Sequence, residues 1–312
     1  MKKYIAFLLI LTQCCIADGT TLYVEPEAGR QPLCDAIQQA HQEVDIAMYM
    51  FTDVPLKECL KEAAAKGVKV KLLLEAAPYK YSQANKNTGF ENSPIQLHWV
   101  PAQNSGIRFY HEKLMLIDHQ EAWVMTANFT RSSFKEHPME RNFILRDNNT
   151  NQVRELQNLF DQDWNNIVVG NAADYQAIVV SPLNSREQLL SLIHSAQSEI
   201  YMYSEGLNDY QLIGALAKAA RKGVNVKIIY SDGIRVKAQQ YLTRNQVELI
   251  QLQQMRNHAK VIMVDHQTFY LGSVNFTSNS LDHNREVGVI VADPKLVGSL
   301  ESQFAKDRSQ SA

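Results

Sequence analysis

The chain has 312 residues, 45% of them hydrophobic, and 31 Lys and Arg against 33 Asp and Glu give a net charge of −2. This composition excludes a collagen-like, low-complexity or wholly disordered polymer, and it argues against a basic protein that coats nucleic acid, although a global sum is blind to a local basic cleft. At roughly 100–200 residues per domain, the length fits one large domain or two small ones. In chain order, Lys2 and Lys3 precede the apolar run Tyr4 to Leu11, and Cys15-Ile16-Ala17 places small residues before Asp18. That is the pattern of a secretory signal over residues 1–17, so the expected location is secreted or periplasmic. The run is shorter than the roughly 20 residues a membrane-spanning helix needs. Lipid attachment at Cys14 is the less favoured alternative, because Gln13 is large where a small residue is normal. Loss of this segment leaves Cys34 and Cys59, whose pairing stays open because spacing gives no geometry.

Periodicity then predicts a helix from Leu33 to Gln42, a strand from Val44 to Phe51, and a helix ending at Gly67 before the alternating strand Val68 to Leu74. A polar stretch follows, then two strands joined at Asp118-His119-Gln120 in the manner of a tight hairpin, and an amphipathic helix from Gln152 to Phe160. After a join near Trp164 to Asp174, the series starts again. A strand at Ala177 to Val180 leads to a helix from Arg186 to Gln197, a strand from Glu199 to Ser204, and a second hairpin at Asp265-His266-Gln267. Residues 56–74 match residues 212–230 through helix, glycine stop and strand, which is an internal repeat. The expected fold class is α/β, with two repeated mixed-sheet lobes over residues 18–165 and 166–312.

The chemistry-bearing residues repeat in the same register. The second copy reads His258-x-Lys260, Asp265, Gly272-Ser273-x-Asn275, then Glu286. The first reads His111-x-Lys113, Asp118, Met125-Thr126-x-Asn128, then Glu140. Six fixed positions at about one in twenty each arise by chance at a frequency on the order of 10⁻⁸, and here they occur twice. On a strand, residues two apart share a face, so each His and Lys point together. Lysine charge, asparagine amides and the hydroxyls of Thr126 and Ser273 are the donors an anionic phosphodiester needs as charge builds on its oxygens.

This constellation resembles the phospholipase D superfamily over nearly the whole chain beyond residue 17. Val44 to Asp53 and the Lys-Gly-Val-Lys-Val segment at 66–70 are also similar to bacterial members. The resemblance implies a pseudodimer whose active site lies between the repeats, and cofactor-free, metal-independent phosphodiester exchange through a phosphohistidine. By the analogy, His111 is the nucleophile and His258 the acid, while Glu140 and Glu286 orient the histidines. Asp118 and Asp265 are assigned structural support at their turns. Met125 is a departure, bulky where the family's glycine would let backbone approach the phosphate. His41, His98, His119, His137, His194, His266 and His283 are expected at the surface or in turns.

Substrate is less legible. The stretches Tyr79 to Ser93 (Tyr79, Lys80, Tyr81, Lys86, Phe90) and Gly233 to Arg244 (Arg235, Lys237, Tyr241, Arg244) read as loops that wall the cleft. Cations among aromatics suit a lipid headgroup or stacked bases. The first expectation is a hydrolase that releases phosphatidate from phospholipid at transient membrane contact, acting as a monomeric pseudodimer. A DNA or RNA endonuclease and a cardiolipin-synthase-like phosphatidyltransferase are the alternatives, with a catalytically weak phosphate-binding module behind them.

Overall fold

The computed structural model describes residues 19–76, 89–90, 92–100, 106–134, 139–166 and 170–311. The anticipated signal segment therefore lies outside the described residues, as do Tyr79, Lys80, Tyr81, Lys86 and His137. The first half runs β1 (Thr21–Glu25), α1 (Gln31–Gln39), β2 (Glu43–Met48), α2 (Val54–Ala65), β3 (Lys69–Glu75), β4 (Gln96–Val100), β5 (Lys113–Ile117), β6 (Glu121–Met125), β7 (Glu140–Asp147) and α3 (Thr150–Trp164). The second runs β8 (Ile178–Ser181), α4 (Ser185–Ser195), β9 (Glu199–Ser204), α5 (Tyr210–Arg221), β10 (Asn225–Tyr230), α6 (Val236–Arg244), β11 (Glu248–Gln251), β12 (Arg256–Asn257), β13 (Lys260–Val264), β14 (Thr268–Gly272), α7 (Ser278–Asp282), β15 (Glu286–Ala292) and α8 (Pro294–Ser309). The predicted loop at 233–244 is in fact largely the helix α6, which begins just after Arg235.

Two sheets with the same connectivity result. The first has the order β1-β7-β6-β5-β2-β3-β4, and the second, read from its other edge, β8-β15-β14-β13-β9-β10-β11. The short β12 leaves the second lobe and pairs with β7, Arg256 opposite Glu140 and Asn257 opposite Arg141. The reciprocal bridge joins Tyr110 to Arg285. Each lobe thus inserts backbone into the other beside its histidine.

The local causes repeat as well. Asp53 and Asp209 cap α2 and α5, accepting from Leu56 N at 3.0 Å and Leu212 N at 3.1 Å, and Arg30 and Arg186 hold those carboxylates from outside. Both hairpins close through three residues, of which the Asp and His take left-handed backbone (φ 52 and 56, then 52 and 58), the hand that follows strand twist. Asp118 accepts from the backbone N–H groups of His41, Gln42 and Glu43, and Asp265 from those of Gln197, Ser198 and Glu199. Both turns are thereby tied to the start of the strand that precedes the site.

Alternation sorts the side chains of β5 and β13 into two cores. Leu114, Leu116, Val261 and Met263 face a shared core between the sheets with α3 and α8, while Met115 and Ile262 face the outer helices of their own lobes. Cys34 and Cys59 form a disulfide that joins α1 to α2 in the outer layer. Two buried ion pairs cross the lobe boundary: Arg141 to Asp307 at 2.9 Å and Arg285 to Asp163 at 3.0 Å, with all four side chains about 1% exposed.

Candidate active site

His111 and His258 sit just before β5 and β13, where β7 and β15 from the opposite lobes reach them. His111 N donates to Arg285 O at 2.8 Å, and His258 N to Arg141 O at 3.1 Å. Lys113 and Lys260 follow two residues later, both 0% exposed. Lys113 Nζ donates to His111 O at 2.9 Å and lies 3.1 Å from His111 Nε2, and Lys260 Nζ bonds His258 O. Each histidine is thus held by backbone of the other lobe, which brings the four predicted groups to the same lobe boundary, and both lysine charges act on both histidines.

The orienting groups are not the expected pair. Glu286 Oε2 accepts from His111 Nδ1 at 2.7 Å, and Ser280 and Asn284 hold its other oxygen. On His258 the Nδ1 partner is Asn142 Oδ1 at 2.8 Å. Glu140 instead pairs with Arg256 at 3.2 Å, which corrects its predicted role. The reason is strand register. Gly272 lies opposite Gly288 and Met125 opposite Ile144, so Glu286 and Asn142 occupy equivalent places. One histidine has a carboxylate behind it and the other a neutral amide.

Thr126 and Ser273 are also corrected. Both are fully buried. Thr126 Oγ1 donates to Asn142 Oδ1 and accepts from Phe143 N, each at 2.9 Å, while Ser273 Oγ accepts from Val287 N at 3.0 Å and donates to Val287 O at 3.2 Å. These hydroxyls fix the strands that carry Asn142 and Glu286. Met125 lies in the outer core of its lobe, and at Gly272 an added Cβ would meet Gly288 Cα at 2.4 Å and the Tyr270 hydroxyl at 2.6 Å. The family glycine therefore serves internal packing here, and Met125 puts no bulk against a substrate. Asn128 Oδ1, Asn275 Oδ1 and Asn142 Nδ2 are buried and make no hydrogen bond among the described residues.

Glu205, beyond the end of β9, escaped the sequence reading. Its Oε2 lies 2.5 Å from Lys260 Nζ, and its Oε1 lies 2.6 Å from Arg256 Nη2 and 3.6 Å from His258 Nε2. At the matching place in the first lobe, the Tyr49 ring sits 4.5 Å from the His111 ring and 5.3 Å from Lys113 Nζ.

Burial dominates the electrostatics. It lowers both histidines, His258 the further, although Glu286 and Glu205 respectively pull them back up. It also brings Lys113 down to about 7, helped by the charge of Lys260. For Glu286 and Glu205 burial acts upward, but the neighbouring cations outweigh it and hold both carboxyls below the usual range. The remaining described histidines, at 41, 98, 119, 194, 266 and 283, are exposed. His266, at the far end of β13, groups with Glu199 and Glu301, their ligand atoms within 4.8 Å of one another. Phe90 is buried against Phe51.

Two His-x-Lys segments meet across the boundary of a duplicated fold, the arrangement anticipated from the motifs. The family model described as cardiolipin synthase, PLD-like domain, matches residues 33–164 and 189–308, and the chain belongs to that family. It is an enzyme of the phospholipase D superfamily. The chain is 25% identical to the probable cardiolipin synthase YwiE of Bacillus subtilis, over 88% of this chain and 63% of that protein. It is 24% identical to cardiolipin synthase A of Pseudomonas putida, over 95% of this chain and 69% of the relative. It thus spans about two thirds of the length of these curated relatives. The phosphatidylserine synthase of Haemophilus influenzae shares the fold with a TM-score of 0.71 at 12% identity, covering 93% of this chain and 85% of that one.

These relatives bear on one expectation and correct another. They favour the phosphatidyltransferase alternative over lipid hydrolysis. They also overturn the secreted or periplasmic location, since cardiolipin is a membrane lipid and proteins named for its synthesis work at a membrane. Among the described residues, no helix is long and apolar enough to cross one.

Proposed function

We propose that the protein is a phosphatidyltransferase that moves a phosphatidyl group from one phospholipid to an alcohol, of the kind named in its cardiolipin synthase relatives. The similarity to proteins named as cardiolipin synthases supports the transfer, and the unequal pair of histidines at the lobe boundary supports the division of labour within it. Glu286 on His111 Nδ1 fixes the tautomer that leaves Nε2 as a lone pair, and it stabilises the positive charge that forms on the ring when Nε2 bonds phosphorus. His111 is therefore the nucleophile. His258, protonated on Nε2, gives that proton to the leaving alcohol in the first step and takes one from the entering alcohol in the second. Lys113, Lys260, Asn128 and Asn275 supply charge and directed donors to the non-bridging oxygens. Asp118 and Asp265 support the strands from the hairpin turns.

The test is to incubate purified protein with phosphatidylglycerol vesicles in EDTA and to measure cardiolipin, phosphatidate and glycerol. Cardiolipin and glycerol in equal amounts, lost in His111→Ala and in His258→Ala, are expected. Phosphatidate as the only lipid product would return the assignment to a hydrolase. Cleavage of labelled single-stranded DNA with lipid left intact would replace it with a nuclease.

A further inference from the structure

Glu205 is a carboxylate in a site built for an anionic group, and it stands on one side only. Its backbone N donates to Ala259 O at 3.1 Å, as Tyr49 N donates to Glu112 O at 3.0 Å, so the two residues hold the same position in the two lobes. The first lobe places an aromatic ring beside the nucleophile, and the second places a charge beside His258. Lys260 and Arg256 fix that charge, while Oε1 stops 3.6 Å short of His258 Nε2. The gap is beyond a hydrogen bond and short enough for hydroxyl groups of a bound molecule to contact both atoms.

In the phosphatidyl-transfer reading, on which this inference rests, His258 Nε2 takes the proton of the entering hydroxyl. A simple alcohol has one O–H, which goes to Nε2 and leaves Oε1 with only its bond from Arg256, its second lone pair unused. A vicinal diol has a second O–H one carbon away that donates to Oε1 while the first serves Nε2. We propose that Glu205 selects the acceptor, its carboxylate holding the second hydroxyl of a neutral vicinal diol such as a glycerol end group beside the hydroxyl that attacks phosphorus. In that step the attacking oxygen forms the new P–O bond and the bond from phosphorus to His111 Nε2 breaks. The attacking hydroxyl's proton passes to His258 Nε2. Glu205 accepts a hydrogen bond throughout and no proton moves to it. The same charge repels an acceptor that carries a phosphate monoester next to its hydroxyl.

The test offers wild type, Glu205→Gln and Glu205→Leu phosphatidylglycerol vesicles with equimolar 1,2-propanediol and 1-propanol, two acceptors that differ by one hydroxyl. Mass spectrometry gives the ratio of the two phosphatidyl alcohols formed. A hydrogen bond to a charged group is worth a factor of about ten or more. Wild type is expected to favour the diol by about tenfold, Glu205→Leu to bring the ratio near one, and Glu205→Gln to fall between. Because the ratio comes from one sample, loss of folded protein cancels, and Glu205→Gln serves if the leucine variant does not fold. A ratio unchanged in a variant that turns over overturns the acceptor assignment alone. Transfer to neither alcohol by wild type overturns the transfer reading and this inference with it.

Discussion

Asn142 is the residue that makes the two half-sites unequal, and Asn142→Asp tests what the inequality does. The aspartate is nearly isosteric, keeps the hydrogen bond from Thr126, and places a carboxylate where Oδ1 now lies 2.8 Å from His258 Nδ1. Opposite charges about 4 Å apart interact by about 4 kcal/mol at an effective dielectric of 20. If burial of the new carboxylate offsets half of that, about 2 kcal/mol remains, or about 1.5 pKa units for His258. The other charges facing the ring, Glu205, Lys260, Lys113 and Arg256, are unchanged. Burial now holds His258 well below 6.5, and the first chemical step needs it protonated, so kcat/KM for lipid exchange falls as pH rises through that low value. In Asn142→Asp the falling limb moves to higher pH by about 1.5 units. Profiles of initial rate against pH on phosphatidylglycerol vesicles read the shift directly. Superimposable profiles would refute the assignment of His258 as the acid.

Three further outcomes follow from buried groups. Asp163→Ala leaves the Arg285 guanidinium without its ion-pair partner and is expected to cost about 3–5 kcal/mol in urea unfolding. Asp307→Ala costs less, because Arg141 keeps Glu27 and the Glu25 carbonyl; equal losses would contradict this. Lys113→Met abolishes exchange and stabilises the fold by about 2–4 kcal/mol near pH 6. The sign follows from a folded pKa of about 7 against 10.5 in the unfolded chain: between these values only the unfolded state binds the proton, so wild-type stability gains a rising term with pH that the variant lacks. Cys34→Ser with Cys59→Ser opens a 25-residue loop and is expected to lower stability by about 3 kcal/mol while leaving acceptor preference unchanged at 25 °C.

The repeat, the paired hairpins and the convergence of His111, Lys113, His258 and Lys260 were legible because they rest on local periodicity and on spacing along single strands. The partner of His258 was misread by two residues. Glu140-Arg141-Asn142 and Asn284-Arg285-Glu286 align through their central arginines, so the carboxylate and the amide exchange ends between the lobes. Alignment on those arginines, rather than on the nearest glutamate, would have found Asn142. The same alignment finds the cross-lobe clamps, since Asp163 and Asp307 sit at matching places near the ends of α3 and α8. Glu205 carries no motif of its own. Only the superposition of β9 on β2 brings it to the site, because contacts between strand ends are set by sheet order and not by neighbours in sequence.

The central claim is a double displacement at phosphorus, His111 attacking first and the acceptor second. Each displacement inverts configuration, so two restore it. A phosphorothioate analogue of phosphatidylglycerol, chiral at phosphorus, exchanged into 1-propanol by the wild-type protein reports the outcome in the configuration of the product. Retention is predicted, and inversion would contradict a covalent intermediate on His111.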